Sequence, residues 1–315
     1  MINTDGREPL RLGFFSRSVV SRVARDRDIF GHHGLTVSEH PVSSSPAQFR
    51  SLQAGEYDLV LTSPDNVAAY RLTDANPLGA RLDVRVLLGL DAGLGLSVVA
   101  APDIVSLEDL RGRTIAVDVP SSGFALALFS VLARKGMRRD RDFALVSLGS
   151  TPRRREALLA GECDATLLNA GHDIAAVIAG CRRLARITDT LSPYLGTVVA
   201  ATGDWLDGNV ELARRFGEAW LEATRIVLDP AERGYVEPLV AEEFSLPLEG
   251  IDAAYTMLTS TRDGLVASGQ VDNAALRTVL AIRAEHGGPD TGIDVSPGAV
   301  EASGLVDHRL MERVR

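Results

Sequence analysis

The sequence has little of several things, and each shortage excludes something. Two cysteines, Cys163 and Cys181, stand in 315 residues, too few for a disulfide framework. Cys163 falls on a predicted strand and reads as a buried, inert thiol. There is one lysine, Lys135, so the basic charge is almost all arginine, whose forked donors suit carboxylate, sulfonate or phosphate groups. The six histidines show no ligand spacing: His32 and His33 are adjacent, and neither H-x-x-x-H nor C-x-x-C occurs, so no metal and no cofactor is expected. No run is long and charge-free enough to span a bilayer. The start, Met1 to Pro9, is polar and lacks the apolar stretch of an export signal. That leaves a cytoplasmic protein that begins at Met1, or a periplasmic or extracellular one whose signal has been removed. A net charge of −9 and a pI near 5.2 argue against nucleic acid or an anionic membrane as partner.

What is present is enough apolar residue, 45%, for one large domain or two modest ones, and one phrase stated twice. From Pro46 the chain reads P-A-Q-F-R-S-L-Q-A-G-E-Y-D-L-V-L, and from Pro152 it reads P-R-R-R-E-A-L-L-A-G-E-C-D-A-T-L. Pro, Leu, Ala-Gly-Glu, Asp and Leu recur in register. Each copy predicts a helix capped by Ser45 or Thr151, with proline at its first position. Gly55 or Gly161 ends that helix in a left-handed conformation. A strand follows, then a polar loop: Thr62-Ser-Pro-Asp-Asn66 or Leu168-Asn-Ala-Gly-His172. A repeat this far apart predicts two similar α/β lobes, with the loops at the carboxyl strand edges, where open α/β sheets bind ligands.

Around the repeats, strands are predicted at Leu10–Phe14, Leu35–Pro41, Val84–Leu90, Thr114–Asp118, Phe143–Leu148 and Arg182–Thr188, and a helix at Val19–Phe30. Ser97-Val-Val-Ala-Ala101 is echoed by Thr197-Val-Val-Ala-Ala201, and the pair marks where the chain leaves the first lobe and returns. Ser106 and Asp109 have capping-box spacing. A long apolar helix opens at Pro120-Ser-Ser-Gly-Phe124. After Trp205 the spacing turns helical through Val210–Leu228, Tyr235–Glu243, Ile251–Ala267 and Asn273–His286. A break follows at residues 287–292, then a peripheral helix and tail.

This order, with its His/Gly helix end, "L-x-A-G-E-x-D" and "S-L-E-D-L-R-G-R-T-I-A-V", resembles the solute-binding proteins of ABC importers for aliphatic sulfonates, nitrate, taurine and thiamine pyrimidine precursors. The resemblance covers roughly residues 10–240. It implies an α/β, two-lobed type II periplasmic-binding-protein-like fold with two crossing segments and C-terminal helices. Lobe 1 would comprise residues 1–97 and 198–315, and lobe 2 residues 98–197. The ligand would sit between lobes that close by hinge motion, with an ABC permease as partner. Carried over to this chain, the cleft is lined by Phe15, Ser16, Arg17, Thr62, Ser63, Asp65 and Asn66 from the first lobe. The second lobe adds Ser121, Ser122, Gly123, Phe124, Asn169, Gly171 and His172, and the hinge adds Asp91 and Tyr194.

On chemistry alone, the Ser121–Gly123 helix start suits an anionic head group, since free backbone N–H groups and the helix dipole point outward there; plain capping competes for the same donors. Arg17 is placed either to pair with such an anion or to stay solvated. Asp65 and Asn66 either fix a polar group or cap the next helix. His172 is a contact, a cap or a surface residue. Phe15, Phe124 and Tyr194 can sandwich a flat ligand or belong to the core. No G-x-S-x-G elbow occurs. The first reading is a binding protein for a small organic anion or flat heterocycle. The alternative is a cytoplasmic, cofactor-free lyase, decarboxylase or hydrolase using a Ser/His/Asp/Arg set on the same scaffold.

Overall fold

Runs such as Leu59-Val-Leu-Thr62 and Ala165-Thr-Leu-Leu168 are buried on both faces, as strands are when helices cover both sides of a sheet. In the computed structural model, which describes residues 6–288 and 293–310, these strands build two five-stranded sheets. The first contains β1 (Glu8–Phe14), β2 (Leu35–Pro41), β3 (Leu59–Thr62), β4 (Val84–Gly89) and β10 (Val198–Thr202), in the order β2-β1-β3-β10-β4. The second contains β5 (Ser97–Ala100), β6 (Thr114–Val117), β7 (Ala144–Ser147), β8 (Ala165–Leu168) and β9 (Arg182–Arg186), in the order β7-β6-β8-β5-β9. In each sheet three parallel strands come first and an antiparallel one stands fourth. The echoed Val-Val-Ala strands are those two fourth strands, β10 and β5, which explains their likeness: each fills the same fully buried slot. β5 is already part of the second sheet, so the chain passes between the sheets through residues 90–96 and 187–197.

The repeated phrase gives α3 (Ser45–Gln53) and α6 (Thr151–Leu159). Both begin one residue earlier than their prolines suggest. Ser44, extended, is the cap of α3 and accepts from the Ala47 N–H at 3.4 Å; Ser150 holds the matching position before α6. Gly55 and Gly161 take φ of 69° and 71°, the left-handed turn that lets a strand follow at once. The helix expected over Val19–Phe30 is broken into α1 (Val19–Asp26) and α2 (Ile29–His32). Arg7 grips the carboxylate of Asp28 at 2.6 and 2.9 Å, and Asp28 takes φ of 51°.

The remaining helices are α4 (Pro64–Leu72), α5 (Gly123–Ala133), α7 (His172–Ile178), α8 (Gly203–Leu228), α9 (Arg233–Phe244), α10 (Leu248–Leu258), α11 (Asn273–His286) and α12 (Pro297–Ala302). α10 is shorter than its apolar spacing suggests. Residues 259–267 instead form a tight turn laid against the first crossing segment: Ala92 and Leu94 donate to the carbonyls of Gly264 and Asp263, and Val266 donates to Leu90. From residue 289 the expected break lies outside the described residues, as do the first five residues and the last five. α5 is apolar on nearly every face and is buried accordingly; α11 packs on both α5 and α4. One continuous core therefore runs from the first lobe through α4, α5 and α11 into the second. A second core seats α1, α8, α9 and α10 against the first sheet. Among the described residues no helix is long and apolar enough to cross a membrane.

Candidate ligand-binding site

Four loops leave the carboxyl ends of β1, β3, β6 and β8. Because the two sheets have the same order, these loops face one another. The first runs from Phe15 into α1, whose cap residue Ser18 is extended and makes no side-chain capping bond. The second runs through Ser63, which caps α4 by accepting from the Asp65 N–H at 3.3 Å. The third ends at Ser122, which caps α5 by accepting from Ala125 at 3.4 Å. The fourth turns through Asn169, Ala170 and Gly171 into α7, the last two at φ of 49° and 83°. A Cβ on Gly171 would meet the Phe244 ring at 2.5 Å, so the turn and its neighbour both require glycine.

A cavity of about 90 Å³ lies where these loops meet. Of the residues expected there, Phe15, Ser16, Arg17, Thr62, Ser63, Asp91, Phe124 and Asn169 line it. A smaller chamber of about 40 Å³ shares the walls Phe15, Ser63, Phe124 and Thr151, and brings in Asn66 and Ser122. Asp65, Ser121 and Gly123 line neither. They hold the lobes together. Asp65 receives two bonds from Arg283 of α11, at 2.8 and 2.6 Å, and the same guanidinium donates to the Ser121 carbonyl at 2.8 Å. The Gly123 N–H donates to Asn66 Oδ1 at 3.3 Å. A Cβ on Gly123 would lie 2.6 Å from the Asp65 Cβ, so only glycine permits this approach. The start of α5 is thus filled by protein groups, whereas α1 and α6, whose first residues Val19 and Thr151 line the cavity, start without a side-chain capping bond.

His172 and Gly171 also lie off the cavity lining. His172 is buried with Nδ1 unpartnered, and burial, aided by Arg155 and Arg154, pulls its pKa down to about 3. Among the described residues no hydrogen bond joins it to Ser16, Ser121 or Ser122. Tyr194 is buried at a separate crevice of about 580 Å³ beside the hinge. That hollow is larger, but none of the four strand-end loops lines it. Asp91 touches both hollows. Its carboxylate accepts from the Gly93 N–H at 2.8 Å, and burial pushes its pKa up to about 6. Arg17 sits at the rim with 67% of its side chain exposed, 3.9 Å from Glu243; Arg22 and Arg25 face the same carboxylate.

Sequence reasoning missed several wall residues. Ser18, Val19 and Val20 belong to the α1 start, while Trp220, Phe244, Leu258 and Leu265 reach in from the C-terminal region. Thr151, expected as a cap, sits inside α6 and turns its hydroxyl to Asn169 Oδ1 at 3.4 Å. Asp118 and Arg154 line the small chamber; the alignment of Arg154 with Gln48 in the repeated phrase was the signal for one of them. The polar lining of the main cavity is hydroxyl and amide, together with the Asp91 carboxyl and the Arg17 guanidinium, between aromatic walls, a set that can hold a flat or anionic small molecule. Among the described residues no cluster of His, Cys, Asp or Glu could hold a metal.

An NMT1-like family model matches residues 4–241. No curated protein matches the sequence. Among solved structures, the chain is similar to the alkanesulfonate-binding protein SsuA from Xanthomonas axonopodis pv. citri bound to MOPS, at 18% identity and a TM-score of 0.71, covering 96% of each chain. It is similar to the periplasmic nitrate-binding protein NrtA from Synechocystis PCC 6803, at 14% identity and a TM-score of 0.77, covering 98% of this chain and 88% of that one. The periplasmic aliphatic sulphonate binding protein SsuA from Escherichia coli has 20% identity and a TM-score of 0.64, over 88% and 87%. At such identities the likeness is one of fold: this is a periplasmic-binding-protein architecture.

Proposed function

The chain belongs to the NMT1-like family, and on that footing we propose that it captures a small organic anion or flat heterocycle in the cleft, as the substrate-binding component of an ABC-type uptake system. The observation that carries this reading is the cavity itself. It lies between the strand ends of both sheets, and the uncapped start of α1 opens on it beside the hydroxyls of Ser16, Thr62 and Thr151. Unbonded N–H groups and the helix dipole favour negative charge at such a point. Phe15 and Phe124 supply flat walls.

Residues 1–97 with 198–315 act as one lobe and residues 98–197 as the other, and residues 90–96 and 187–197 flex between them. Closure on the ligand is the signal that a membrane permease reads. The protein works in the periplasm or at the cell exterior; the sulphonate-binding and nitrate-binding proteins that share its fold are periplasmic. The catalytic alternative gains nothing from the geometry, since His172 lies apart from the cleft serines.

A thermal-shift screen of sulfonates, carboxylates, nitrate and small heterocycles tests the proposal. A ligand at about 100 times its Kd stabilises the fold by ~2.7 kcal/mol. Turnover of a compound that gives no such stabilisation would replace the binding reading with the catalytic one.

A further inference from the structure

The two halves of the chain repeat each other down to single side chains, and at one of them they differ in charge. Gln48 and Arg154 each stand two residues after the proline of the repeated phrase, and both are buried. Gln48 donates its amide to the carbonyls of Gly13 at 3.4 Å and Leu61 at 3.0 Å. Arg154 donates to the carbonyls of Gly149 and, at 3.1 Å, Leu167, the residue matching Leu61, and to the Thr151 hydroxyl at 3.2 Å. A neutral amide suffices to tie helix to strand in the first lobe, so the tie does not account for a guanidinium only 3% exposed. No contact ion pair accounts for it either: among the described residues Arg154 makes none within 4.0 Å, and the Asp118 carboxylate acts on it only through space. A guanidinium has five N–H donors; three bonds are made, and Nε has no partner.

Across the 40 Å³ chamber stands Asp118. It follows β6 as Phe15 follows β1. Asp118 Oδ2 accepts from the Ser45 N–H of the first lobe at 3.3 Å, while its Oδ1 is buried and unpartnered. A buried donor and a buried acceptor thus share one small space without bonding each other. An anion there would meet the carboxylate, and a cation would meet the guanidinium. A neutral group with an acceptor and an N–H side by side satisfies both.

We propose that this chamber is a second recognition subsite at the inner end of the cleft, which takes an uncharged donor–acceptor edge such as a primary carboxamide or lactam. Phe15, Ser63, Phe124 and Thr151 wall both spaces, so one ligand spans them. This rests on the cleft-binding reading and narrows its ligand class. Arg154 and Asp118 are then specificity residues.

The test is calorimetric titration of the full chain with nicotinamide, nicotinate and benzenesulfonate, on wild type, Arg154→Gln and Asp118→Asn. Arg154→Gln copies what Gln48 does in the first lobe, so it keeps the helix tie and removes the charge. Wild type is expected to bind nicotinamide about tenfold or more tighter than nicotinate, and each variant to lose about tenfold or more of the nicotinamide affinity. Absence of nicotinamide binding, preference for nicotinate, or unchanged nicotinamide affinity in a folded Arg154→Gln would overturn the subsite. If Arg154→Gln does not fold, the same readouts on Asp118→Asn decide. Benzenesulfonate binding without nicotinamide binding removes the inner subsite alone; failure of all three probes counts against the cleft reading as well.

Discussion

Replacing Arg283 by Met should destabilise the protein more than any surface change of similar size. Arg283 and Asp65 are 2% and 1% exposed, and two hydrogen bonds join them. Removing the guanidinium leaves a carboxylate buried without its counter-charge, which costs about 3–5 kcal/mol. The Ser121 carbonyl also loses its donor, worth ~1 kcal/mol. The assay is equilibrium unfolding in urea followed by far-UV circular dichroism, with a single transition as the condition for comparing free energies. The double variant Arg283→Met, Asp65→Asn should recover ~1–3 kcal/mol relative to Arg283→Met alone, because the unpaired charge is gone. Since the guanidinium joins α4 of the first lobe to the carbonyl before α5 of the second, amide exchange at the start of α5 should also rise. A loss under ~1 kcal/mol, or strictly additive costs in the double variant, would refute the view that this pair holds the lobes together.

Arg17→Ala should slow association of an anionic ligand and flatten its ionic-strength dependence while leaving dissociation nearly unchanged, because an exposed rim charge steers more than it holds; stopped-flow binding at two salt concentrations checks this. Asp91 and His172 should give opposite pH dependences. Asp91 is held at about 6 against an ordinary 3.8, so its contribution to stability is full below pH 3.8 and is lost as pH rises through 6. The stability of Asp91→Asn relative to wild type should therefore rise by roughly 2 kcal/mol between pH 4 and pH 7. His172 is held at about 3 against 6.5, so its contribution is full above pH 6.5 and is lost as pH falls toward 3. His172→Gln should gain roughly 3 kcal/mol relative to wild type on going from pH 7 to pH 4. Urea midpoints across that range measure both, and parallel curves for wild type and variant would contradict either assignment.

The repeated phrase was enough to read two α/β lobes, because its proline, glycine and alternating apolar positions act locally. Gly55 and Gly161 do in space what their spacing suggests, and the Val-Val-Ala echo marks two equivalent strands. What the sequence hid depends on distant partners. Asp65 meets Arg283 across 218 residues of chain, and no local pattern announces that pairing. Gly123 looked like part of an open anion site; it is glycine because another lobe presses on it. Leu265 and Val266 continued a helical spacing, but they are apolar because they close the cavity and brace the hinge. The aromatic wall from Trp220 and Phe244 was illegible for the same reason: helices after the second lobe return to cover a site formed before it.

The sharpest trial is a plug. Ser16 is half-buried on the cavity wall at the head of α1, and Ser16→Trp would fill the space with an indole while leaving both cores intact. Calorimetric titration of the best stabilising ligand against wild type and this variant should show binding in the first and none in the second, with unchanged unfolding of the free proteins. Equal affinity in the plugged variant would mean that the ligand sits elsewhere and that the groove between the sheets is not the receptor.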